Sequence, residues 1–523
     1  MAFVQLFNNR FGLVFFVPFI LGILSVFMFQ PFNLTFIGFL IIPSLFLITT
    51  YVSKKSKVTY RKKPYLTNLF FLGFLFGVGF FLSGTYWISY SLTFDENFQY
   101  LIPFSLILIP LFLGLFSGLA TLIIGPYLGN NFSSILIFCS SFSFMDYLRS
   151  KILTGFPWNL WAYSWSGHVE ILQILNPIGL FAFNLLTLII FCAPLLLIFK
   201  KKINFFIFFV LLFLFFCNYI FGSYVFNKEE KNYKNLTLNK ANLAYIKLIS
   251  PNFDLKYNLS QSELDTLMKK LIRYSEPNKE KKTIFIWPEG VFTGYTLEEI
   301  KQYKTLFKQQ FSKEHIVLFG VNTYDSIANK YFNTLVAVNN NFDVIYKYDK
   351  KKLVPFGEFL PFEKHLNKLN LKKITQGYGS FSKGVRQTNL KISNLNILPL
   401  ICYEIIFTEL TQQSAIETNL IVNISEDAWF GGSIGPHQHF AKALYRAIES
   451  NTFLVRSANR GVSAFISNRG KVIKRLEPNE IGNIELNVPL VASNLKNRND
   501  LIFFILLFTY TIIFFALRNK LND

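Results

Sequence analysis

Residues 11 to 225 form an almost unbroken succession of apolar segments, and no other feature constrains the fold of this chain as strongly. A water-soluble domain does not expose that much hydrocarbon, so this part reads as a multi-span α-helical membrane domain. Residues 228 to 490 have the mixed composition of a globular domain, and one more apolar run follows at 500–517. Phe contributes 63 of the 523 residues, and the apolar excess sits in the first part. The expected division is a membrane domain at 1–227, a globular domain at 228–490, and a terminal span with a short tail at 491–523.

Eight segments approach the ~20 residues that cross a hydrocarbon core. They lie near 11–30, 34–52, 66–89, 101–127, 132–148, 171–199, 203–224 and 500–517. The second and third are joined through Lys54, Lys55, Lys57, Arg61, Lys62 and Lys63, and the sixth and seventh through Lys200, Lys201 and Lys202. Between the third and fourth lie Asp95 and Glu96. Because basic loops stay cytoplasmic, the N-terminus and tail are expected inside and residues 228–490 outside, which is the periplasmic face of a bacterial inner membrane. The N-terminal segment has few positive charges and no small-residue cleavage site, and a second span follows closely; it does not read as a cleavable signal peptide. Asp146, Arg149, Thr154–Trp158 and Trp161 interrupt the apolar pattern. They read either as an interfacial belt or as a headgroup-facing wall of a lipid entry path, and Tyr86 and Trp87 allow the same two readings.

A net charge of +21 raises the question of nucleic acid, but Lys and Arg are scattered and form no basic stripe interleaved with aromatics. No nucleic-acid partner is expected; anionic headgroups gain roughly 1 kcal/mol per nearby cation. Of four cysteines, Cys139, Cys192 and Cys217 fall in spans, and Cys402 is the globular domain's only thiol. No disulfide framework or metal-type spacing is present.

In the globular domain, β-rich runs alternate with amphipathic stretches, the pattern of a layered α/β fold. Strands are predicted at 243–247, 283–287, 316–321, 334–339, 397–402, 420–424, 453–458 and 463–467, and helices at 261–275 and 437–450. Three short motifs fall at strand ends. Glu289 follows Trp287-Pro288, where a carboxylate projects into the crevice that α/β folds use for ligands and could act as a general base. Lys350 opens a Lys triplet ahead of Leu353-Val354-Pro355-Phe356-Gly357-Glu358. A fixed ammonium there would favour a neighbouring thiolate and stabilise an oxyanion, a role open to Lys351 and Lys352 on chemistry alone. Cys402 ends an apolar run and precedes Tyr403 and Glu404. A carboxylate, an ammonium and a thiol together point to acyl transfer through an activated cysteine. His437 and His439 stand at i, i+2, which does not stack ligands on one helical face, so no metal is expected. Asp427-Ala428-Trp429-Phe430 reads as a structural turn lining a crevice.

These motifs carry a resemblance. Residues 228–490 resemble the carbon–nitrogen hydrolase (nitrilase) superfamily, and the whole chain resembles the apolipoprotein N-acyltransferase family. The matching residues are Trp287-Pro288-Glu289, the stretch 350–358, Cys402-Tyr403-Glu404, Asp427–Phe430 and 433–439, with 84–87 and 153–158 in the membrane part. The resemblance implies a nitrilase-like αββα sandwich with Glu289 as general base, Lys350 as stabiliser of the tetrahedral intermediate and Cys402 as nucleophile. It implies Glu358 as a supporting carboxylate, and Tyr403, Glu404 and Trp287 around the pocket. It also implies ping-pong transfer of an acyl chain from a membrane phospholipid to the N-terminal amine of a diacylglyceryl-cysteine lipoprotein, with no cofactor. Two positions depart from the family pattern: Glu426 stands where Asn is usual, and 248–257 lacks the usual Gln/Asn turn and Trp. Leu353, Val354, Phe356, Phe359, Leu360 and Phe362 read either as a bilayer-facing lid or as a loop packed on its own domain. A membrane-anchored amidase acting on a small substrate shares the same three residues. A transporter or receptor with a non-catalytic sensor domain fits less well, because the spans carry few charges.

Overall fold

The computed structural model describes residues 11–59, 64–238, 243–257, 259–363, 379–385, 389–392, 394–412, 418–490 and 500–522. Arg61, Lys62 and Lys63 of the first basic connection lie outside the described residues. The chain divides into two compact units, one of 1–90, 99–224 and 498–523 and one of 91–98 and 225–497. The segment 91–98, read from sequence as part of a connection between spans, thus belongs with the globular unit.

In the first unit, five helices among the described residues are long and apolar enough to cross a membrane, and Gly12–Met28 and Leu501–Leu517 are shorter apolar helices. The helices Pro64–Thr85 and Ile102–Ile124 approach through small residues. A Cβ on Gly73 would fall 2.1 Å from Thr121 Oγ1 and 2.3 Å from the Ser117 carbonyl. Without a hydrophobic drive inside lipid, such backbone contact supplies the packing energy. The helix Phe132–Lys151 carries Asp146 and Arg149. Of the polar and aromatic residues that interrupt the apolar pattern, Arg149, Trp158 and Trp161 form a buried cluster. Arg149 is buried, donates to the Phe156 and Trp158 carbonyls at 2.5 and 2.8 Å, and pairs with Asp146 at 2.8 Å. Trp158 and Trp161 are also buried, and Trp87 packs on Trp158 at 4.7 Å. A charge in apolar surroundings survives only with partners, and these carbonyls and the carboxylate supply them.

The second unit holds two six-stranded sheets. Its strands are β1 (Leu243–Ser250), β2 (Thr283–Ile286), β3 (His315–Asp325), β4 (Lys330–Val338), β5 (Val344–Asp349), β6 (Leu390–Ile392), β7 (Leu395–Ile401), β8 (Leu420–Glu426), β9 (Phe453–Asn459), β10 (Ser463–Ile466), β11 (Val472–Leu476) and β12 (Gly482–Pro489). The orders are β12-β1-β2-β3-β4-β5 and β11-β10-β9-β8-β7-β6. β1, β2 and β3 run parallel, as do β7, β8 and β9, and the outer pairings are antiparallel.

The strand period of two sorts side chains between two cores. Ile246, Leu248, Ile284 and Ile286 meet Ile397, Leu420, Val422 and Val455 between the sheets. Phe285, Trp287, Val317 and Phe319 face outward onto Leu264, Met268 and Leu271 of the helix Gln261–Ser275. That helix starts in a capping box, with Glu263 returning to the Ser260 N–H at 2.8 Å. The helix Gly435–Ser450 packs on the Cys402–Ile406 turn and β9. The result is the αββα layering the resemblance implied.

Candidate active site

The parallel strands deliver their C-terminal ends to one crevice, and there the separate motifs converge. Glu289 begins the turn after β2, Lys350 follows β5, Cys402 follows β7, and Glu426 ends β8. Gly320 on β3 lets them close up, since a Cβ there would lie 2.9 Å from the Glu289 Cα.

Lys350 is 1% exposed and is held by two carboxylates, Glu289 Oε1 at 3.3 Å and Glu358 Oε1 at 2.9 Å. Asn333 on β4 donates Nδ2 to the same two oxygens, at 2.7 and 2.6 Å. The remaining oxygens are also fixed: Glu289 Oε2 accepts the Glu426 N–H at 3.1 Å, and Glu358 Oε2 accepts the Val354 N–H at 2.8 Å. Burial opposes the charge on Lys350, but Glu289, Glu358 and Cys402 outweigh it and raise its pKa. It therefore stays an ammonium at any working pH.

Cys402 sits where strand becomes a short 3-10 turn, Cys402–Ile406, with φ +49. A non-glycine residue in the left-handed region is strained, and such strain concentrates at functional elbows. Burial and the Glu289 carboxylate push the thiol up, while Lys350 and the Ser425 hydroxyl pull it down. From sequence, Lys350 is expected to favour the thiolate. The ammonium acts in that direction but is outweighed, so the resting group is a thiol. Attack then requires proton removal; of the two carboxylates that act electrostatically on the thiol, Asp427 is paired with Arg456, and Glu289 is the candidate base.

Glu404, expected around the pocket, has a different task. It is 0% exposed, accepts N–H groups from Ile401, Lys351 and Lys352 at 2.8, 2.7 and 3.1 Å, and takes the Tyr348 hydroxyl at 3.0 Å. It ties the Lys350 segment to the Cys402 elbow across the two sheets. Tyr403 packs edge-on against Phe407 at 5.1 Å. Trp287 is not at the pocket. It shares the outward parity of Phe285, is fully buried among Phe292, Phe307, Phe311 and Phe319, and donates to Ser275 Oγ at 2.9 Å.

Beneath the elbow lies a network that the motifs signalled only in part. Asp427 pairs with Arg456 at 2.8 Å and lies 3.0 Å from His439 Nδ1. Burial would raise Asp427, yet the Arg456 guanidinium, helped by the Ser425 hydroxyl, holds it well below the carboxylate range. Burial and Arg456 lower His439 to about 4, so the ring is neutral. With its hydrogen assigned to Nε2, it donates to the Cys402 carbonyl at 3.2 Å and accepts from Arg456 at Nδ1, at 3.1 Å. His439 thus props the nucleophile's backbone. Among the described residues no group of three or more His, Cys, Asp or Glu is disposed to hold a metal.

A cavity of about 100 Å³ opens beside Glu289, Asn333, Glu358 and Glu426, with Tyr257, Phe292 and Trp429 in its walls. Trp429 packs against Phe94 at 5.2 Å and Tyr257 at 6.4 Å, so the segment 91–98 supports that wall. Of the lid residues, Leu353 and Leu360 are packed in, whereas Phe356 and Phe362 are 50% and 70% exposed. The site residues that sequence reading passed over are Asn333, Arg456 and Asn459. Each is a buried polar residue within a largely apolar strand, and that is the available signal.

The chain matches the family models described as apolipoprotein N-acyltransferase N-terminal domain, over residues 21–193, and carbon-nitrogen hydrolase, over 253–493. It is 30% identical to the apolipoprotein N-acyltransferase of Rhizobium leguminosarum bv. trifolii, over 80% of each chain. The corresponding protein of Rickettsia prowazekii is 29% identical over 94% of this chain and 97% of its own. Among solved structures, Saccharomyces cerevisiae Nit3, a nitrilase-superfamily member, is 15% identical over 47% of this chain and 90% of its own, with a TM-score of 0.35. With relatives of that identity matching along most of its length, the chain belongs to the apolipoprotein N-acyltransferase family.

Proposed function

We propose that this acyltransferase takes its acyl chain from a membrane phospholipid, carries it as a thioester on Cys402, and delivers it to the N-terminal amine of a lipoprotein's diacylglyceryl-cysteine. Family membership makes the chain a membrane-associated enzyme of lipoprotein N-acylation. The phospholipid donor is what the family resemblance implies, and the residue roles are proposed from the chemistry of the groups gathered at the site.

Glu289 removes the thiol proton, and the sulfur attacks an ester carbonyl. The resulting oxyanion is stabilised by Lys350, whose three N–H groups include one beyond the two engaged by Glu289 and Glu358. The C–O bond breaks, and Glu289 returns its proton to the departing lysophospholipid oxygen. In the second half the amine attacks the thioester, Glu289 accepts a proton from nitrogen, the C–S bond breaks and sulfur is reprotonated. Glu358 and Asn333 keep Lys350 and Glu289 in register throughout. Splitting the transfer in two lets one site serve two large lipid substrates in turn.

The observation that carries the reading is Lys350, buried between two carboxylates and acting electrostatically on the only thiol of the globular unit. The basic connections support a topology of eight spans with residues 228–490 on the periplasmic side of a bacterial inner membrane. The test supplies full-length protein with phospholipid labelled in its acyl chains and a synthetic S-diacylglyceryl-cysteine peptide. Label on the peptide α-amine, lost in Cys402→Ala and in Glu289→Gln, is the expected result. Label appearing only as free fatty acid would favour a hydrolase and remove this reading.

A further inference from the structure

Proton accounting in the second half-reaction leaves a gap. As derived, Glu289 takes one proton from nitrogen and passes it to sulfur, which balances for a free amine. An α-amino group has an ordinary pKa of about 7.7–8.0, so near neutrality it arrives chiefly as an ammonium. Ammonium plus thioester yields amide, thiol and one further proton, and Glu289 cannot hold both.

A third carboxyl lines the same cavity beside Glu289 and Glu358, and the mechanism has not used it. Glu426 is 2% exposed and ends β8. It accepts Asn459 Nδ2 on both oxygens, at 3.1 and 2.9 Å, and the Ala428 N–H at 3.0 Å. Among the described residues no Lys or Arg side chain forms an ion pair with it. Its position relative to Glu289 is fixed twice. Its own N–H donates to Glu289 Oε2, and its Oε2 lies against the next turn residue, Gly290, where a Cβ would come within 2.5 Å. Gly290 has φ +75, so this close fit depends on a glycine.

We propose that Glu426 is the second proton acceptor of the acyl-transfer step: it takes the first proton from the incoming ammonium, and Glu289 takes the next as nitrogen attacks. The amide product leaves, and Glu426 releases its proton to water through the open cavity. The groups facing Glu426 are Glu289 from the β2 turn, Asp427 beside it, already paired with Arg456, and Tyr257 from the segment after β1. Lys350 engages Glu289 on the other oxygen, Oε1. Burial, with Glu289 and Asp427 adding, raises Glu426. That direction brings it toward the range of an α-amine and makes the transfer less uphill. The proposal rests on the thioester reading above.

The test charges full-length protein with phospholipid, confirms the thioester on Cys402 by mass, and then adds the diacylglyceryl-cysteine peptide between pH 6 and 9. For the wild type, kcat/KM for the peptide should stay nearly level below the amine pKa for as long as Glu426 is ionised. In Glu426→Gln, and equally in Glu426→Asn, it should fall about tenfold per pH unit, because only free amine reacts; Glu426→Asp should restore the level profile. Equal slopes in wild type and either amide variant would overturn the proposal while leaving the thioester intact. A wild type that never acquires the thioester would overturn the acyl-cysteine reading and this proposal together.

Discussion

Replacing Glu404 tests whether the site is assembled by a single buried carboxylate. Glu404 serves four donors, and two of them, the Ile401 N–H and the Tyr348 hydroxyl, are fully enclosed. In Glu404→Ala each enclosed donor loses its partner at about 1–3 kcal/mol, or about 2–6 kcal/mol together. The Lys351 and Lys352 amides are half-buried and reach water more cheaply. Glu404→Gln keeps one acceptor oxygen but turns an NH2 group toward a donor. Since burial already raises the Glu404 pKa, losing its charge recovers part of that cost, and the net loss should be about 1–2 kcal/mol. For a domain of this size each kcal/mol lowers Tm by about 2–4 °C. A displaced Lys350 should also slow chemistry, since misplacement by about 1 Å costs roughly 10²-fold. The assay is the rate of thioester formation on Cys402 with phospholipid, with the melting temperature of the same sample. The expected order is wild type, then Gln down by about tenfold, then Ala down by about a hundredfold. An alanine variant that is still folded and charges at the wild-type rate would refute the claim that Glu404 holds Lys350 against the elbow.

Further consequences follow from other parts of the molecule. Phe356→Asp and Phe362→Asp remove exposed rings from a loop anchored by Leu353 and Leu360, so turnover with bilayer phospholipid should fall at least tenfold more than with a short soluble acyl donor; equal slowing would remove the lid role. Asp427 is held below the ordinary carboxylate range, so its stabilisation is present above about pH 4 and drains away as pH falls toward its lower folded value. Asp427→Asn should therefore cost about 3–5 kcal/mol at pH 7 and show a shallower loss of Tm between about pH 4.5 and 3 than the wild type. A parallel acid slope in the two would contradict the Asp427–Arg456 account. A single cysteine placed at exposed Ile327 should react with a membrane-impermeant thiol reagent from outside intact spheroplasts; reaction only after lysis would reverse the proposed topology.

What the sequence disclosed, and what it hid, follows the layers. All eight strands read from composition are interior strands, where apolar runs are required because both faces are covered. The four that escaped notice, β5, β6, β11 and β12, are the four sheet edges. Edges carry charged and polar residues such as Lys347, Lys474 and Glu485, which dilute the pattern and discourage edge-to-edge pairing. Glu289, Lys350 and Cys402 were legible because strand ends face the crevice in folds of this kind. Trp287 was misassigned because adjacency in sequence says little about which face a side chain takes. Asn333 and Glu404 act through partners 44 and 53 residues away, pairings that only the folded chain creates.

The proposed chemistry requires a sulfur that carries the acyl group. Intact-protein and peptide mass spectrometry after incubation with phospholipid alone measures this directly. The prediction is one acyl mass per chain, mapped to the peptide containing Cys402, removed by hydroxylamine and absent in Cys402→Ser at neutral pH. An acyl group found on another residue, or peptide acylation proceeding at full rate with Cys402 replaced, would contradict it.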